Sequence, residues 1–474
     1  MKTIKRHLPV LLATALLTAC SDEWLTDVVP SDKVDEKKAI QTVKEAQYAL
    51  SGVLSNMQSK SYYGAAYLVY GDIKAMDVRS VRNDSRYHGT YFYTEFTHSA
   101  SMHDFFSLLY RILNNINKDL VYTNALTPRT GSEKSAELEI LGNLYALRAL
   151  VHFDLLKVFA RIPTAVDGSL GDELGVIDAD RVIDIHEQLP RNNLQECYNF
   201  VIADLQKALQ TMPKGAATEG RVSYNAIKAL LARVYLYYGK YELAAQYAGE
   251  VIHSGQYSLI PYGDYKKAWA ADTPNPEVIM QIVNTFEDNP ALEGIGNLWS
   301  TTGYHAVTLT DSFKALLASD QNDERSDYTS ISDTPKSKRF LKYPDELVNN
   351  IPVIRLSEMY FIAAECAYKQ GDPATAVQMI NEILKVRTNG KTQLTAGDMT
   401  LDRILLEKRK EFVGEGQTFF DYIRNKKDIE RAGKDHLVTA PKSIEYTDYK
   451  MIQPIPRYEL DANKNIQQNP EYEE

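Results

Sequence analysis

Carboxylates are the residues of this 474-residue chain that come nearest to a catalytic set. Glu407, Glu411 and Glu415 recur at four-residue spacing beside Lys408, Arg409 and Lys410. Asp320, Asp323, Glu324 and Asp327 crowd a second stretch. A glycosidase needs two carboxylates, one to protonate the leaving oxygen and one to attack or to activate water, and the supply here leaves such a pair open. Both clusters have plainer readings, the first as a charged helix face and the second as a solvated loop rather than a gathered cation. His152 and Asp154 fall within a helical stretch and read as structural. The nine histidines are scattered, with no HExxH and no CxxC. There is no GxSxG elbow, no P-loop and no GxGxxG after a strand, and Gly294-Ile295-Gly296 is too slight to count. No catalytic constellation, metal site or cofactor site is expected.

Cys20 carries a different chemistry. Lys2, Lys5 and Arg6 precede an apolar run from Leu8 to Ala19. That run is shorter than the roughly 20 residues needed to cross a hydrocarbon core, and its plan is that of a secretory signal. It closes on Leu17-Thr18-Ala19-Cys20, which resembles the lipobox of bacterial lipoproteins. On this reading residues 1–19 are cut away, the Cys20 thiol receives a diacylglycerol and its new amine an acyl chain. Two or more chains anchor a protein stably where one holds only marginally. An ordinary signal peptide with a chance cysteine is the alternative. Cys197 and Cys366 lie in helix-like stretches and are expected to be buried free thiols.

The formal charge is −10, and the chain becomes more acidic once the basic leader is lost. That balance disfavours nucleic acid and anionic membrane surfaces as partners. Tyrosines number 31 against 14 phenylalanines. A tyrosine offers a flat apolar face with a polar tip, suited to gripping amphipathic ligands, although many pack between helices.

Helices must position whatever these side chains do. From Ile140 to Phe159 the apolar residues Ile140, Leu144, Leu147, Val151, Leu155 and Val158 recur at steps of three and four, one stripe facing a core. Arg148 in that helix is expected to pair with a carboxylate on a neighbour. The stretch 194–209 is similar, with Asn192 or Asn193 as N-cap. An internal repeat joins residues 225–255 and 357–387: Ala232 matches Ala364, Gly239 matches Gly371, Ala244 matches Ala376, and Val251 matches Ile383. Small residues at the crossing and a glycine in the turn look like the tetratricopeptide helix–turn–helix. Helices over roughly 38–58, 103–122, 136–159 and 194–209 supply two more pairs, which predicts a mainly α fold of about four stacked pairs. Residues 59–102 and 256–350 are rich in Gly, Pro, Asn, Asp and Tyr, with short apolar runs such as Val278 to Val283. Long loops in a compact domain are usually functional, so the ligand surface is expected there.

A family resemblance now enters. Gly142-Asn143-Leu144-Tyr145-Ala146-Leu147-Arg148-Ala149-Leu150-Val151-His152-Phe153-Asp154-Leu155 resembles the most characteristic helix of the SusD/RagB family, the nutrient-binding surface lipoproteins of Bacteroidetes. Further similar segments follow in the family's order: Tyr110 to Asn117, Gly220-Arg221-Val222 to Tyr235, Asp323-Glu324-Arg325, Arg355 to Tyr360 with Ala364-Glu365, Glu407 to Phe412, Phe420 to Arg424, and Ile455-Pro456 through Gln468 to Tyr472. Trp24-Leu25-Thr26-Asp27 with Pro30 is similar to the segment after the family's lipid cysteine. Asn143 and Leu150 depart from the family's helix, Glu471 replaces a glycine, and no tryptophan precedes Tyr110. The implied division is a signal over 1–19, a lipidated tether over 20–35, and an N-terminal part over 36–255 that contains the loop insertion 59–102. A loop-rich insertion over 256–350 and a C-terminal part over 351–474 complete it.

The resemblance implies a non-catalytic lipoprotein on the outer membrane, facing outward. It would capture an oligosaccharide and hand it to a SusC-like TonB-dependent transporter. An oligopeptide ligand is the alternative within that class, and a surface glycosidase or a pure interaction scaffold the alternatives outside it. A sugar binder needs flat aromatics for C–H faces and Asn, Asp or Arg for the hydroxyl rim. Two loop clusters offer them: Arg79, Arg82, Asn83, Tyr87, Tyr91 and Tyr93, and then Asn297, Trp299, Tyr304 and His305.

Overall fold

The structure is a computed structural model. It describes residues 40–472 except 84, 99–101, 185, 216–219, 271–274, 332–337 and 432–433. The signal, Cys20 and the tether lie outside the described residues. Among those described, no helix is long and apolar enough to cross a membrane.

The helices in chain order are α1 (Val43–Met57), α2 (Ala66–Ile73), α3 (His88–Phe92), α4 (His103–Asn124), α5 (Gly131–Phe159), α6 (Leu194–Thr211), α7 (Tyr224–Tyr238) and α8 (Tyr241–Ile252). They continue as α9 (Ile295–Trp299), α10 (Asp311–Ala318), α11 (Leu356–Lys369), α12 (Pro373–Arg387), α13 (Leu401–Phe412), α14 (Thr418–Arg424) and α15 (Arg457–Ala462). Helix α1 packs on α4, α5 on α6, α7 on α8 and α11 on α12, while α8 on α11 and α6 on α7 join the pairs into a stack. These are the four expected pairs, and the tetratricopeptide-like reading holds.

Local chemistry explains the boundaries. Thr130 and Glu133 close a reciprocal capping box at the start of α5, and Asn193 does so with Glu196 at α6. Gly239 ends α7 at φ +76°, a conformation that a Cβ disfavours. The matched repeat residues Ala232, Ala244, Ala364 and Ala376 are fully buried, so small side chains do sit where paired helices approach. Arg148 grips Asp204 of α6 through two bonds of 2.6 and 2.7 Å and donates to Asn117 of α4. His152 is a structural residue: its Nδ1 lies 2.9 Å from the Arg148 carbonyl, and its Nε2 accepts from the Ala179 N–H. Cys197 and Cys366 are buried and free.

Two expectations need correction. The segments read as loops carry short elements: all of α2 is buried, and the strands β1 (Val78–Ser80), β2 (Val278–Ile282), β3 (Val307–Leu309), β4 (Thr329–Ile331) and β5 (Lys338–Phe340) lie there. Helix α2 is buried around its whole circumference, Asp72 included, so it shows no stripe. Strand β2 pairs antiparallel with β6 (Ile351–Arg355), which leads into α11. Two further two-residue strands, β7 (Ile429–Glu430) and β8 (Ser443–Ile444), pair near the C-terminus.

The second correction concerns Glu407, Glu411 and Glu415, which face inward. Glu411 takes Arg355 at 3.1 Å and Arg387 at 2.9 Å, Glu407 takes Arg325 at 2.7 Å, and Glu415 takes Arg355 at 2.8 Å and Lys342 at 2.5 Å. Their partners come from β6, α12, the 320s and Lys342 just after β5, so the four-residue spacing gave no sign of them. Asp323 belongs to the same network through Arg325 at 2.7 Å, while Asp327 stays exposed beside Lys266.

Candidate ligand-binding face

The two segments expected to meet ligand come together edge to edge. Strands β1 and β3 pair antiparallel, with Arg79 opposite Thr308. Beyond them the Val81 N–H donates to the Ala306 carbonyl at 3.1 Å, and the Ser85 hydroxyl to the same carbonyl at 3.0 Å. Residues 79–86 therefore run alongside 304–309, far apart in sequence and adjacent in space.

The exposed end of this pairing is organised around Arg86, Tyr304 and Glu293. The Arg86 guanidinium carbon sits 3.9 Å from the centre of the Tyr304 ring. Arg86 also donates two bonds to Glu293, at 2.7 and 3.2 Å, and the Tyr304 hydroxyl donates a third at 2.9 Å. Lys60 approaches the same carboxylate at 3.6 Å. Burial alone would raise the Glu293 pKa, but the bonds from Tyr304 and Arg86 hold it below the ordinary carboxylate value. Tyr304 rises for the reciprocal reason, its bond to Glu293. The outcome is a planar cation stacked on an aromatic ring, held by one carboxylate and still 36% exposed at Tyr304.

Backbone strain gathers here as well. Seven non-glycine residues have positive φ among those described, and four of them, Tyr87, Tyr93, Ala291 and His305, flank this face. Such conformations persist where the surroundings over-determine them, often at binding sites. Gly303 permits a closer approach than any side chain would: a Cβ there would lie 1.9 Å from Asn297 Oδ1.

The expected residues divide into two groups. Arg79, Arg82, Asn83, Tyr87, Tyr304 and His305 lie at least partly on the surface of this face. Tyr91, Tyr93, Asn297 and Trp299 are inside it, which corrects their reading as loop contacts. Tyr91 shares a hydrogen bond with His436 at 3.0 Å, and Tyr93 donates to the Lys74 carbonyl at 2.5 Å. Asn297 donates to the Leu292 carbonyl at 2.6 Å, and the Trp299 ring stacks on Phe340 at 4.3 Å between centroids. Large flat side chains in an irregular segment are its main source of burial, so these four hold the face together from beneath. Arg86, Glu293 and Lys60 escaped the sequence reading. Arg86 continues the arginine spacing of 79 and 82, whereas Glu293 gives no local signal. A separate cleft of about 690 Å³, lined by Phe106, Tyr110, Arg111 and Glu459 among others, opens between α4, residues 177–189 and α15.

Comparison with known proteins fits this architecture. Residues 344–472 match the model of the SusD family, and residues 28–236 match one described as starch-binding, associating with the outer membrane. A crystal structure of a SusD superfamily protein from Bacteroides vulgatus is 30% identical, with a TM-score of 0.84 over 92% of this chain and 100% of that one. The chain belongs to the SusD family. A second SusD superfamily structure, from Bacteroides thetaiotaomicron, is 31% identical, with a TM-score of 0.82 over 90% of this chain and 100% of that one. A laminarin-binding SusD-like protein shares the fold at 21% identity, with a TM-score of 0.71 over 91% of this chain and 100% of that one. In this SusD-family chain the characteristic helix is α5, the centre of the stack. Its departure at Asn143 has a use, since that side chain accepts from the Val222 N–H at 2.7 Å and ties α5 to the entry of α7.

Proposed function

We propose that this SusD-family protein captures an oligosaccharide on the face formed by residues 79–93 and 291–309, does not cleave it, and passes it to a SusC-like TonB-dependent transporter. Acylated Cys20 holds it to the outer membrane, with the mature chain facing outward. The observation that carries the reading is the Arg86–Tyr304–Glu293 assembly. It is a preorganised aromatic and cationic platform on open surface, between two strained loops. Stacking meets a sugar's C–H face, while Arg79, Arg82 and Asn83 are placed to hydrogen-bond its rim. An open face suits a lid whose ligand is enclosed only when a second protein closes over it. The laminarin-binding relative supports the ligand class, and the outer-membrane description of the matching model supports the location.

The test is titration of a panel of oligosaccharides and oligopeptides against the wild type and the Arg86→Ala and Tyr304→Ala variants, with mass analysis of the recovered sugar. Saturable sugar binding that both variants weaken, with the sugar recovered intact, is the expected result. Shortened products would make the protein an enzyme. Unchanged affinity in folded variants would move the site elsewhere, with the cleft beside Tyr110 the first place to look.

A further inference from the structure

We propose that the cleft between α4, residues 177–189 and α15 is a second binding site, taking a small zwitterion with an apolar body, an apolar α-amino acid or its dipeptide. It shares no lining residue with the face built on residues 79–93 and 291–309 and does not depend on the reading of that face.

The walls are fixed before any ligand arrives. Phe106, Tyr110 and Asn114 recur at four-residue steps and so share one side of α4. The Tyr110 hydroxyl accepts from the Ile177 N–H at 3.0 Å and donates to the Ile177 carbonyl at 3.2 Å. Asn117 donates to the Ala179 and Arg181 carbonyls at 2.9 and 2.8 Å, which seats residues 177–181 on α4. At the other end Asn463, just past α15, donates to the Leu189 carbonyl at 2.8 Å, and Gln188 donates to the Ala462 carbonyl at 3.2 Å. The space left between them is about 690 Å³, within the range of small-molecule sites. Phe106, Ile177, Ile183 and Leu189 supply its apolar wall.

The ligand class follows from the polar groups left over. Tyr110, Gln188 and Asn463 are engaged in holding the walls. Arg181 is held by Glu187 through two bonds of 2.9 and 2.6 Å. Asp184 and His186 stand at the exposed rim, where the Asp184 carboxylate accepts from the His186 N–H at 2.9 Å. By contrast, the side chains of Glu459 on α15 and of Arg111 and Asn114 on α4 make no hydrogen bond or ion pair among the described residues. Asn114 Oδ1 is buried and unmet. Glu459 is half-buried, and burial raises its pKa with no neighbouring cation to offset the rise. Leaving such acceptors unmet is costly. An ammonium suits both, because it carries several donors and the charge opposite to Glu459. Arg111 offers a guanidinium fork to a carboxylate at the ligand's other end. The amine and acid of an amino acid match these two charges, and its side chain covers the apolar wall. A neutral sugar offers neither charge.

The experiment is calorimetric titration with leucine and with leucyl-leucine, each also in its N-acetylated and its amidated form. One of the two free forms should bind saturably, and the tighter one sets the span between Glu459 and Arg111. Its N-acetylated form, which keeps the acid and loses the ammonium, should bind about tenfold or more weaker. Glu459→Gln should weaken the free form by a similar factor. Arg111→Gln should weaken the free form severalfold and leave the amidated form as it was, a coupling that loss of folding would not produce. The blocked ligands are compared on the wild type alone, so that arm stands even if a variant folds poorly. Equal binding of free and blocked forms would overturn the assignment, and so would the absence of saturation by either free form at millimolar concentration. Oligosaccharide binding should be unchanged in Glu459→Gln. Its loss would make the cleft part of the glycan site and overturn the proposal of a second one.

Discussion

The Tyr63 hydroxyl donates to Asp154 Oδ2 at 2.8 Å, joining the insertion after α1 to the C-terminal part of α5. Tyr62 donates to the same oxygen at 2.7 Å, and Tyr67 bonds the other one. Three phenols thus converge on one buried carboxylate. Lys157, one turn along α5, completes the cluster with its ammonium 4.2 Å from the centre of the Phe420 ring. Burial lowers the Lys157 pKa to about 8, and the negative charge of Asp154 opposes that fall. The insertion that follows α1 is anchored in the helical stack at this point.

Replacing Asp154 by Ala would leave three buried hydroxyls without an acceptor and Lys157 without its nearest counter-charge. The expected loss is about 3 kcal/mol or more of unfolding free energy. Urea denaturation checks it. A loss under about 1 kcal/mol would show that water satisfies the phenols and that the hub matters little.

Glu411→Gln removes the carboxylate that faces Arg325, Arg355 and Arg387 together. All four side chains are fully buried. Breaking one partner of such a group leaves uncompensated charge, at about 3–5 kcal/mol. Because Arg325 and Arg355 come from the 256–355 region, this variant should release that region first. Hydrogen exchange would show protection lost around β6 before α5. Uniform loss over the whole chain would contradict the prediction.

Glu365 provides a pH test. Burial would raise its pKa, but the Arg424 guanidinium outweighs burial and holds it at about 2, well below the ordinary carboxylate value of 4.5. The charged form is therefore favoured by folding, and the stabilisation is complete above the unfolded value. It is lost as pH falls from about 5 to about 2, and amounts to roughly 3 kcal/mol at neutral pH. Melting of the wild type and Glu365→Gln should differ most at pH 7 and converge on acidification. A gap that persists at pH 2 would mean that Glu365 acts through packing alone.

These clusters show what was readable from the sequence. Periodicity located α5 and α6, and the matched alanines and glycines located the paired helices α7–α8 and α11–α12, because those signals are local to one helix or one turn. Arg148 was assigned a partner correctly, since an arginine on an apolar stripe has to find one. The inward turn of Glu407, Glu411 and Glu415 was hidden because their partners lie on other elements. The candidate face divides the same way. Of the residues expected there by type, Arg79, Arg82 and Tyr304 lie at its surface, whereas Tyr91 and Trp299 are buried beneath it. Whether an aromatic in a long loop faces in or out depends on pairings such as β1 with β3, which no local pattern announces.

Cys20→Ala should move the protein from the membrane fraction to the soluble one with its melting curve unchanged, because the substitution removes the acyl anchor and no contact of the helical stack. Fractionation of cells expressing each form decides it. A variant that stays with the membrane would place the attachment on a protein partner instead of lipid.

Gly303→Ala separates the face from the fold. An added Cβ would meet Asn297 Oδ1 at 1.9 Å and the Asn297 carbonyl oxygen at 2.5 Å. That carbonyl accepts from the Tyr304 N–H at 2.9 Å, so the clash falls on the contact that seats Tyr304 against Arg86. The backbone must shift, and stacking geometry is lost with it. Ligand affinity is expected to fall about tenfold, equivalent to roughly 1.4 kcal/mol, while stability, resting on the distant helix pairs, changes far less. Gly131→Ala is the control: it opens α5, with nothing within 4 Å of an added Cβ. It should bind as the wild type does. If Gly303→Ala also binds as the wild type does, the Arg86–Tyr304 stack is not the platform that holds the sugar.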